Sequence, residues 1–397
     1  MDKNKILPSL PEEIIIDILS RLPPISLLKF RCVCKSWSIL FNDPKLINLI
    51  MKNNIVMLRD DNTIYSFDYE SSSSLLPDDI ASHIKKIHLP PVVRAHPRIV
   101  GSCKGLVCLT SSRSYCLWNP STREYKAIPI STAPGYQSVS SGCSTRDITH
   151  GFGYDCLTDD YKFIEILPGT NSSRPVVGVY SLRSNSWEPG YIPYEFSRET
   201  PPGVLSNGAL HWFANSSSSS SRVLIAMDVG DQSTREIAQP GKFDVNGGNR
   251  HLDVLDRCLC MLYSSDDSSE SFEVWVMKDY GVRESWMQVY NIPRMTMFGR
   301  TLRCFRQIQC LRNGELLCEI KTQNDDKADD STMVLYNPKD DKVRILKING
   351  DRSYFTSSIF QIESYVQSSV SLNSGTYVDQ EQEKKDLSVA FKKAIWK

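Results

Sequence analysis

The spacing of apolar residues divides the chain in two. Over residues 10 to 46, LPEEIIIDILSRLPPISLLKFRCVCKSWSILFNDPKL, they recur every three or four positions, whereas from about residue 51 they fall in short alternating runs broken by turn residues. In the first stretch Pro11 stands where a helix begins, and Glu12 and Glu13 complement the positive end of its dipole. Ile14, Ile15, Ile18 and Leu22 line one face before Pro23 and Pro24, lacking amide donors, stop the helix. Ser26 offers an N-cap to a second helix carrying Leu27, Phe30, Val33, Cys34 and Trp37, and Asp43 with Pro44 closes the unit. Some forty residues are too few to bury so dense an apolar pattern, so another surface must cover it: the rest of the chain or a second protein.

Beyond this unit two elements alternate. One is a turn opening a strand: Cys103-Lys104-Gly105-Leu106, Leu205-Ser206-Asn207-Gly208-Ala209, Leu255-Asp256-Arg257-Cys258 and Leu311-Arg312-Asn313-Gly314. Asn-Gly accepts the positive φ angles of a type I′ hairpin turn. The other is a strand running into a polar turn and an apolar return, centred on Tyr65, Trp118, Tyr180, Met227, Trp275 and Tyr336, at intervals of 53, 62, 47, 48 and 61 residues. A period of this size, stretched by insertions, predicts a mostly β fold whose second part is a propeller-like ring of about six blades. The expected boundaries are 1–50 for the helical unit, 51–375 for the ring and 376–397 for a charged tail with helical spacing at Leu387, Phe391, Ala394 and Ile395.

Charge narrows the function. Forty-six basic and 46 acidic residues cancel, so no global attraction to nucleic acid or anionic lipid exists. No run of eighteen apolar residues and no signal-peptide core are present, and a cytoplasmic or nuclear protein without membrane insertion is expected. Cys32/Cys34 and Cys258/Cys260 are one residue apart, too close for zinc-knuckle spacing, and most of the 12 cysteines lie among apolar neighbours as buried thiols. The six histidines show no ligand spacing, no nucleophile elbow is present, and Gly151-Phe152-Gly153 lacks a third glycine and reads as a strand pattern. Asp155, Asp159, Asp160, Asp266, Asp267, Asp325, Asp326, Asp329, Asp330, Asp340 and Asp341 read as solvated turn charges, not a glycosidase pair. The residues thus indicate no catalytic, metal or cofactor site.

Two candidate binding loops stand out because aromatic and arginine side chains dominate interface hot spots. They are 189–198, with Tyr191, Tyr194, Phe196 and Arg198, and 294–300, with Arg294, Met297, Phe298 and Arg300; either could instead tuck onto its own blade.

The N-terminal residues resemble the F-box motif nearly position by position: Leu10-Pro11-Glu12-Glu13-Ile14, Ile18-Leu19-Ser20-Arg21-Leu22-Pro23, Ser26 to Arg31, Val33 to Trp37 and Asp43-Pro44. The ring resembles the F-box-associated domain of plant F-box proteins, often catalogued as F-box/kelch-repeat proteins. Its matching stretches include Gly101 to Leu106, Trp118 to Arg123, Gly151 to Asp155, Leu210-His211-Trp212 and Trp275 to Val282. The kelch label fits less well, because Gly247-Gly248 lies in a loop and not at a strand end.

This resemblance implies a non-catalytic, substrate-binding subunit of an SCF-type ubiquitin ligase. Leu10, Pro11, Ile14, Ile18, Leu19, Leu22, Pro23, Leu27, Leu28, Val33, Cys34 and Trp37 would dock on a Skp1-type adaptor, with a cullin scaffold beyond it and an unidentified protein as target. Phe30 and Trp37 also suit the module's own core, and residues 42–54 suit a packed joint. Trp275 to Tyr280 and Ser371 to Gly375 resemble the defence-regulating branch of the family more than the self-incompatibility factors. The rival reading is a lectin-like or small-molecule-binding propeller with a vestigial F-box.

Overall fold

The computed structural model describes residues 55–60, 63–67, 84–93, 96–111, 114–131, 147–169, 174–216, 221–243, 248–264, 271–293, 296–297, 300–311, 314–324, 327–345, 360–366, 368, 370 and 372. The helical unit, the joint, the tail, and Arg294 and Phe298 lie outside them. Twenty-six strands among the described residues form six antiparallel sheets, and each sheet is a blade.

Blade 2 shows the pattern, with β4 (Arg98–Cys103) innermost, then β5 (Leu106–Ser111), β6 (Ser114–Trp118) and β7 (Tyr125–Ile128). Blade 3 repeats it with β8 (Thr149–Asp155), β9 (Asp160–Leu167), β10 (Val176–Ser181) and β11 (Ser186–Gly190). Blade 4 has β13 (Val204–Ser206) inside β14 (Ala209–Ser216), β15 (Arg222–Asp228) and β16 (Thr234–Ile237), with β12 (Tyr194–Glu195) pairing the far end of β14. Blade 5 is β17 (Asn249–Leu255) to β20 (Trp286–Pro293) through β18 (Cys258–Ser264) and β19 (Ser271–Met277). Blade 6 runs from β22 (Arg300–Cys310) through β23 (Leu316–Asn324) and β24 (Lys327–Asn337) to β25 (Lys342–Ile345), headed by β21 (Thr296–Met297). Blade 1 mixes the chain ends: β1 (Ile55–Asp60), β2 (Thr63–Phe67) and β3 (Ile84–Ile87) take their inner strand from β26 (Phe360–Tyr365). The inner strands touch in sequence around the ring, β26 to β4 to β8 to β13 to β17 to β22 and back to β26.

Both faces of a blade are buried, so neighbouring residues serve different cores. In β5, Leu106 and Cys108 pack toward blade 3 with Phe152, Tyr161 and Phe163, while Val107 and Leu109 pack toward blade 1 with Met57, Ile64 and Tyr365. The sequence Gly151-Phe152-Gly153 uses the same alternation. Phe152 joins the core against blade 2, and a Cβ at Gly151 would lie 2.7 Å from Leu210 Cδ1, one at Gly153 2.7 Å from Val229 Cγ2, both on blade 4. These two glycines let blades 3 and 4 close on each other.

The two sequence elements are the two turns of one face. The first is the inner hairpin, where Lys104 and Gly105 (φ 41° and 86°), Asn207 and Gly208 (50° and 76°), and Asp256 and Arg257 (48° and 66°) take the paired positive angles of a type I′ turn. The second is a turn between third and fourth strands in which a polar side chain caps its own backbone. Asn119 Oδ1 accepts from Ser121 N (2.9 Å), Asp228 Oδ1 from Gly230 N (2.7 Å), Asn337 Oδ1 from Lys339 N (3.0 Å) and Ser181 Oγ from Ser184 N (3.1 Å). Four residues after each cap, Arg123, Gln232, Asp341 and Asn185 adopt positive φ.

The ring closes through β26, which pairs with β1 from Ile55↔Tyr365 to Asp60↔Phe360. Its odd-numbered residues bind blade 2. A bulge between Ile99 and Gly101 frees backbone groups there, and the Gln361 carboxamide accepts from Ile99 N (2.8 Å) and donates to Ile99 O (2.9 Å). Glu363 Oε1 accepts from Ser102 N (2.7 Å), and the Tyr365 hydroxyl donates to Asn119 Oδ1 (3.1 Å). Asn119, fully buried, then donates through Nδ2 to Ser368 O (2.9 Å) and Val370 O (2.7 Å). On the other side Ser364 Oγ bonds Gln309 of blade 6.

Burial raises the Glu363 carboxyl to about 7 against the opposing Ser102 hydrogen bonds, and the Asp253 carboxylate on β17 adds to the rise. A folded-state value above the unfolded one means that closure is favoured with the proton on. This contribution is full below about pH 4.5, falls as pH rises toward about 7, and levels off above it, at up to about 1.4 kcal/mol per unit. Glu363→Gln, which keeps an acceptor for Ser102, is therefore expected to gain stability over wild type progressively between pH 4.5 and 7 in denaturant melts. A constant difference across that range would show that Glu363 ionises normally. Gly151→Val is expected to cost about 1–3 kcal/mol or more by prising blades 3 and 4 apart, read by the same melts.

Candidate functional site

Strand direction gives the ring two unlike faces. One, the hairpin face, carries the inner hairpins and the third-to-fourth-strand turns, most of them short, although in blade 1 that connection takes 16 residues between Phe67 and Ile84. The other, the connection face, is where the second strand of each blade ends and the third begins, and where the links between blades leave and return, among them those from Ile128 to Thr149, Gly190 to Val204, Ile237 to Asn249 and Pro293 to Arg300. β1 starts at the hairpin face, because Ile55 lies opposite Tyr365, whose hydroxyl sits 2.5 Å from Ser121 Oγ in the Asn119 turn. Residue 54 is thus joined to the ring there. The C-terminal segment crosses the same face, with Leu372 N donating to Glu124 Oε2 (2.7 Å).

Both candidate loops lie on the connection face. In the first, side chains alternate. Ile192 is buried in the core with Leu210 and Trp212, Tyr194 packs on that core, and Phe196 meets the Trp212 ring edge-on at 6.1 Å. Tyr191 and Arg198 point outward. The Tyr191 ring is 54% exposed, its hydroxyl accepts from Arg174 Nη1 (2.7 Å), and that guanidinium lies 5.5 Å from the ring centre. Arg198 Nε donates to Asp147 Oδ1 at 2.7 Å, tying link 191–203 to link 129–148. The excursion exists because β13 spans only three residues of β14, and β12 takes over at Asn215 and Ser216. Between them Gly203 N and Trp212 Nε1 both donate to His150 O, at 2.7 and 3.2 Å. Strand-like alternation marks Ile192, Tyr194 and Phe196 as inward but ends there, since Arg198 shares their parity and points outward.

At the second loop Thr296 pairs with Thr301 and Met297 with Arg300. This loop heads the longest blade: β22 and β24 have 11 residues each and β23 nine, against six and five in β5 and β6. The added length includes the Asn324↔Lys327 pair at the connection face. All twelve adaptor-docking residues expected from the sequence, Leu10 to Trp37, lie outside the described residues.

The polar groups within the ring are built into its packing. Burial lowers the His150 imidazole to about 3, with Arg98 adding to the effect, and burial lowers His211 to about 4, so both are neutral at pH 7. His211 bridges Val204 O (3.1 Å) and the Tyr280 hydroxyl (2.7 Å), and the Tyr115 hydroxyl donates to Glu165. Two aspartates depart from the solvated-turn expectation. Asp155 and Asp160 are each 4% exposed: Asp155 accepts from Leu157 N (2.9 Å) beside Lys162 (3.4 Å), and Asp160 accepts from Ser181 Oγ (2.5 Å) and Arg183 N (2.9 Å). They organise turns from inside, where unbonded carboxylates would be costly. Asp329 and Asp330 lie in β24, not in a turn. Cys156 is exposed, while Cys108, Cys116, Cys260 and Cys318 are buried. No group of three or more metal-ligating side chains is found among the described residues.

A closed ring of six antiparallel sheets defines a β-propeller. The model of the F-box associated beta propeller domain matches residues 54–372, and that of the F-box domain matches residues 7–49, so the chain belongs to the F-box proteins with an associated propeller. It is similar to three Arabidopsis thaliana proteins. F-box protein CPR1 is 28% identical over 72% of this chain and 73% of its own length. F-box protein At3g07870 is 28% identical over 88% and 90%, and F-box protein At5g49610 is 30% identical over 75% and 80%. Proteins of this family are in general non-catalytic adaptors.

The inward and outward halves of loop 191–198 separate by stability. Phe196→Ala is expected to cost about 1–2 kcal/mol in denaturant melts through lost packing on Trp212, and Tyr191→Ala no more than about 0.5. Equal costs would mean that the alternation does not decide which side chains support the blade.

Proposed function

We propose that this protein is the substrate-recognition subunit of an SCF-type ubiquitin ligase. The observation that carries the reading is the pairing, in one chain, of an F-box domain at 7–49 with an associated propeller domain at 54–372 whose ring of sheets closes on itself. Leu10, Pro11, Ile14, Ile18, Leu19, Leu22, Pro23, Leu27, Leu28, Val33, Cys34 and Trp37 would form the adaptor contact, with a cullin scaffold reached through the adaptor. Tyr191, Arg198, Arg294, Met297, Phe298 and Arg300 belong to the target side, and Tyr194 and Phe196 hold that loop in place. The chain makes and breaks no bonds itself. It raises the local concentration of target lysines beside the charged ubiquitin-conjugating enzyme, in cytoplasm or nucleus, and a short joint preserves that effect better than a long flexible one.

Leu10→Ala with Pro11→Ala is expected to abolish co-purification of the Skp1-type adaptor while the propeller melts as in wild type. Undiminished adaptor binding would remove the assignment. The finer reading, from the resemblance of Trp275 to Tyr280, is turnover of defence-signalling proteins. Plants lacking this chain should then show raised basal defence transcripts, and unchanged transcripts would remove the pathway while leaving the adaptor role intact.

A further inference from the structure

We propose that the outer edge of blade 5 is a pairing surface for a second copy of this chain, the two β20 strands joining antiparallel about a two-fold axis. The proposal goes beyond the recognition-subunit reading and does not depend on it.

Closing the ring leaves each blade with an edge on the circumference, that of its fourth strand. Exposed strand edges invite pairing with another chain, and proteins guard them chiefly by keeping them short and charging them. Five of the six fourth strands are guarded in both ways. β3 reads IKKI, β7 YKAI, β16 TREI, β25 KVRI and β11 SWEPG, four or five residues each, with at least one charge in every strand. Where β24 runs past β25 its open edge is charged as well, with Lys327, Asp329 and Asp330. β20 is guarded in neither way. It reads WMQVYNIP, eight residues without a charge, and β19 is its one partner strand among the described residues. Its middle is open to water: Met287 is 47% exposed, Gln288 and Asn291 are exposed, and Val289 and Tyr290 are half-buried. Val282, 45% exposed on the turn before it, extends the apolar rim.

The same comparison gives the occupant. A strand that lies along β20 without setting a charge against it must itself be uncharged, and among the outer strands described only β20 of another copy qualifies. About a two-fold axis between Val289 and Tyr290 the strand also suits itself. Gln288 then lies opposite Asn291, carboxamide to carboxamide, and Val289 opposite Tyr290, a β-branched and aromatic pair of the kind that stabilises sheets. β20 keeps one guard, a bulge where its register with β19 shifts between Val274 and Trp275, which increases the local twist. Two copies related at that point carry the same twist, so it does not set them apart. Edge-to-edge pairing leaves both faces of each ring open. The contact is a single strand pair, at the small end of specific interfaces, so the association is weak and concentration-dependent.

Sedimentation of the full chain between about 1 and 200 µM tests this, with the average mass expected to rise from that of one chain toward that of two. Met287→Lys with Asn291→Lys, both at exposed positions, should weaken association by about tenfold or more while the denaturant melt stays as in wild type. Glu188→Lys on β11 should leave the association unchanged. Should the double variant melt early, Asn291→Lys is read alone. Hydrogen exchange gives a second readout, since the outward amides of β20 should slow as the concentration rises. The proposal is overturned by a chain that stays monomeric throughout, by a dimer that survives the lysines, or by β20 amides that are already slow in the dilute monomer because another segment of the same chain covers them.

Discussion

The interaction on which the ring depends is the pairing of β26 with β1, because it joins residues some 300 positions apart in sequence and converts an open row of sheets into a closed one. An open row would end in two apolar blade faces and an unpaired inner edge, both of which invite aggregation. The closure is more than a ladder. Gln361, Glu363 and Tyr365 fill backbone needs on blade 2, Ser364 reaches blade 6, and Asn119 secures the chain beyond the strand. Asn119, which caps its own turn as Asp228 does, has acquired a second role through its amide nitrogen, which aspartate at the corresponding position 228 lacks.

Blades so arranged are interdependent. Each strand divides its side chains between two inter-blade cores, as β5 does with Leu106 and Cys108 on one side and Val107 and Leu109 on the other. Removing one blade therefore exposes two surfaces, and stability is shared around the circle, unlike a linear repeat array whose ends can be capped. The glycines at 151 and 153 show how tightly that sharing is enforced: two blades meet where a single methyl group would collide.

Much of this was legible in the sequence. The period of the strand-and-turn element gave the number of sheets, since Tyr65, Trp118, Tyr180, Met227, Trp275 and Tyr336 all fall in third strands, and Asn-Gly marked an inner hairpin. Closure was not legible. β26 reads FQIESY, a short strand with little turn punctuation, and nothing local says that its partner is Ile55–Asp60. Asp155 and Asp160 were misread because acidic residues at either end of a short turn, Asp155-Cys156-Leu157-Thr158-Asp159-Asp160, look solvated, and only the fold shows that backbone amides meet both and Lys162 meets Asp155. The loop at 191–198 was found by composition, yet its division into supporting and outward residues required the position of Trp212.

The closing blade also bears the chain's N-terminal attachment, and this links architecture to function. A module joined at residue 54 pulls on β1, which is held by β26 along its whole length and, through β26, by blades 2 and 6. A pull on the tether therefore passes from β1 to β26 and on to blades 2 and 6. A scaffold that fixes one face and leaves the other to vary can change its target loops without altering its attachment. The blades supply rigidity between the two faces, and in the recognition-subunit reading proposed above the links would supply the selectivity.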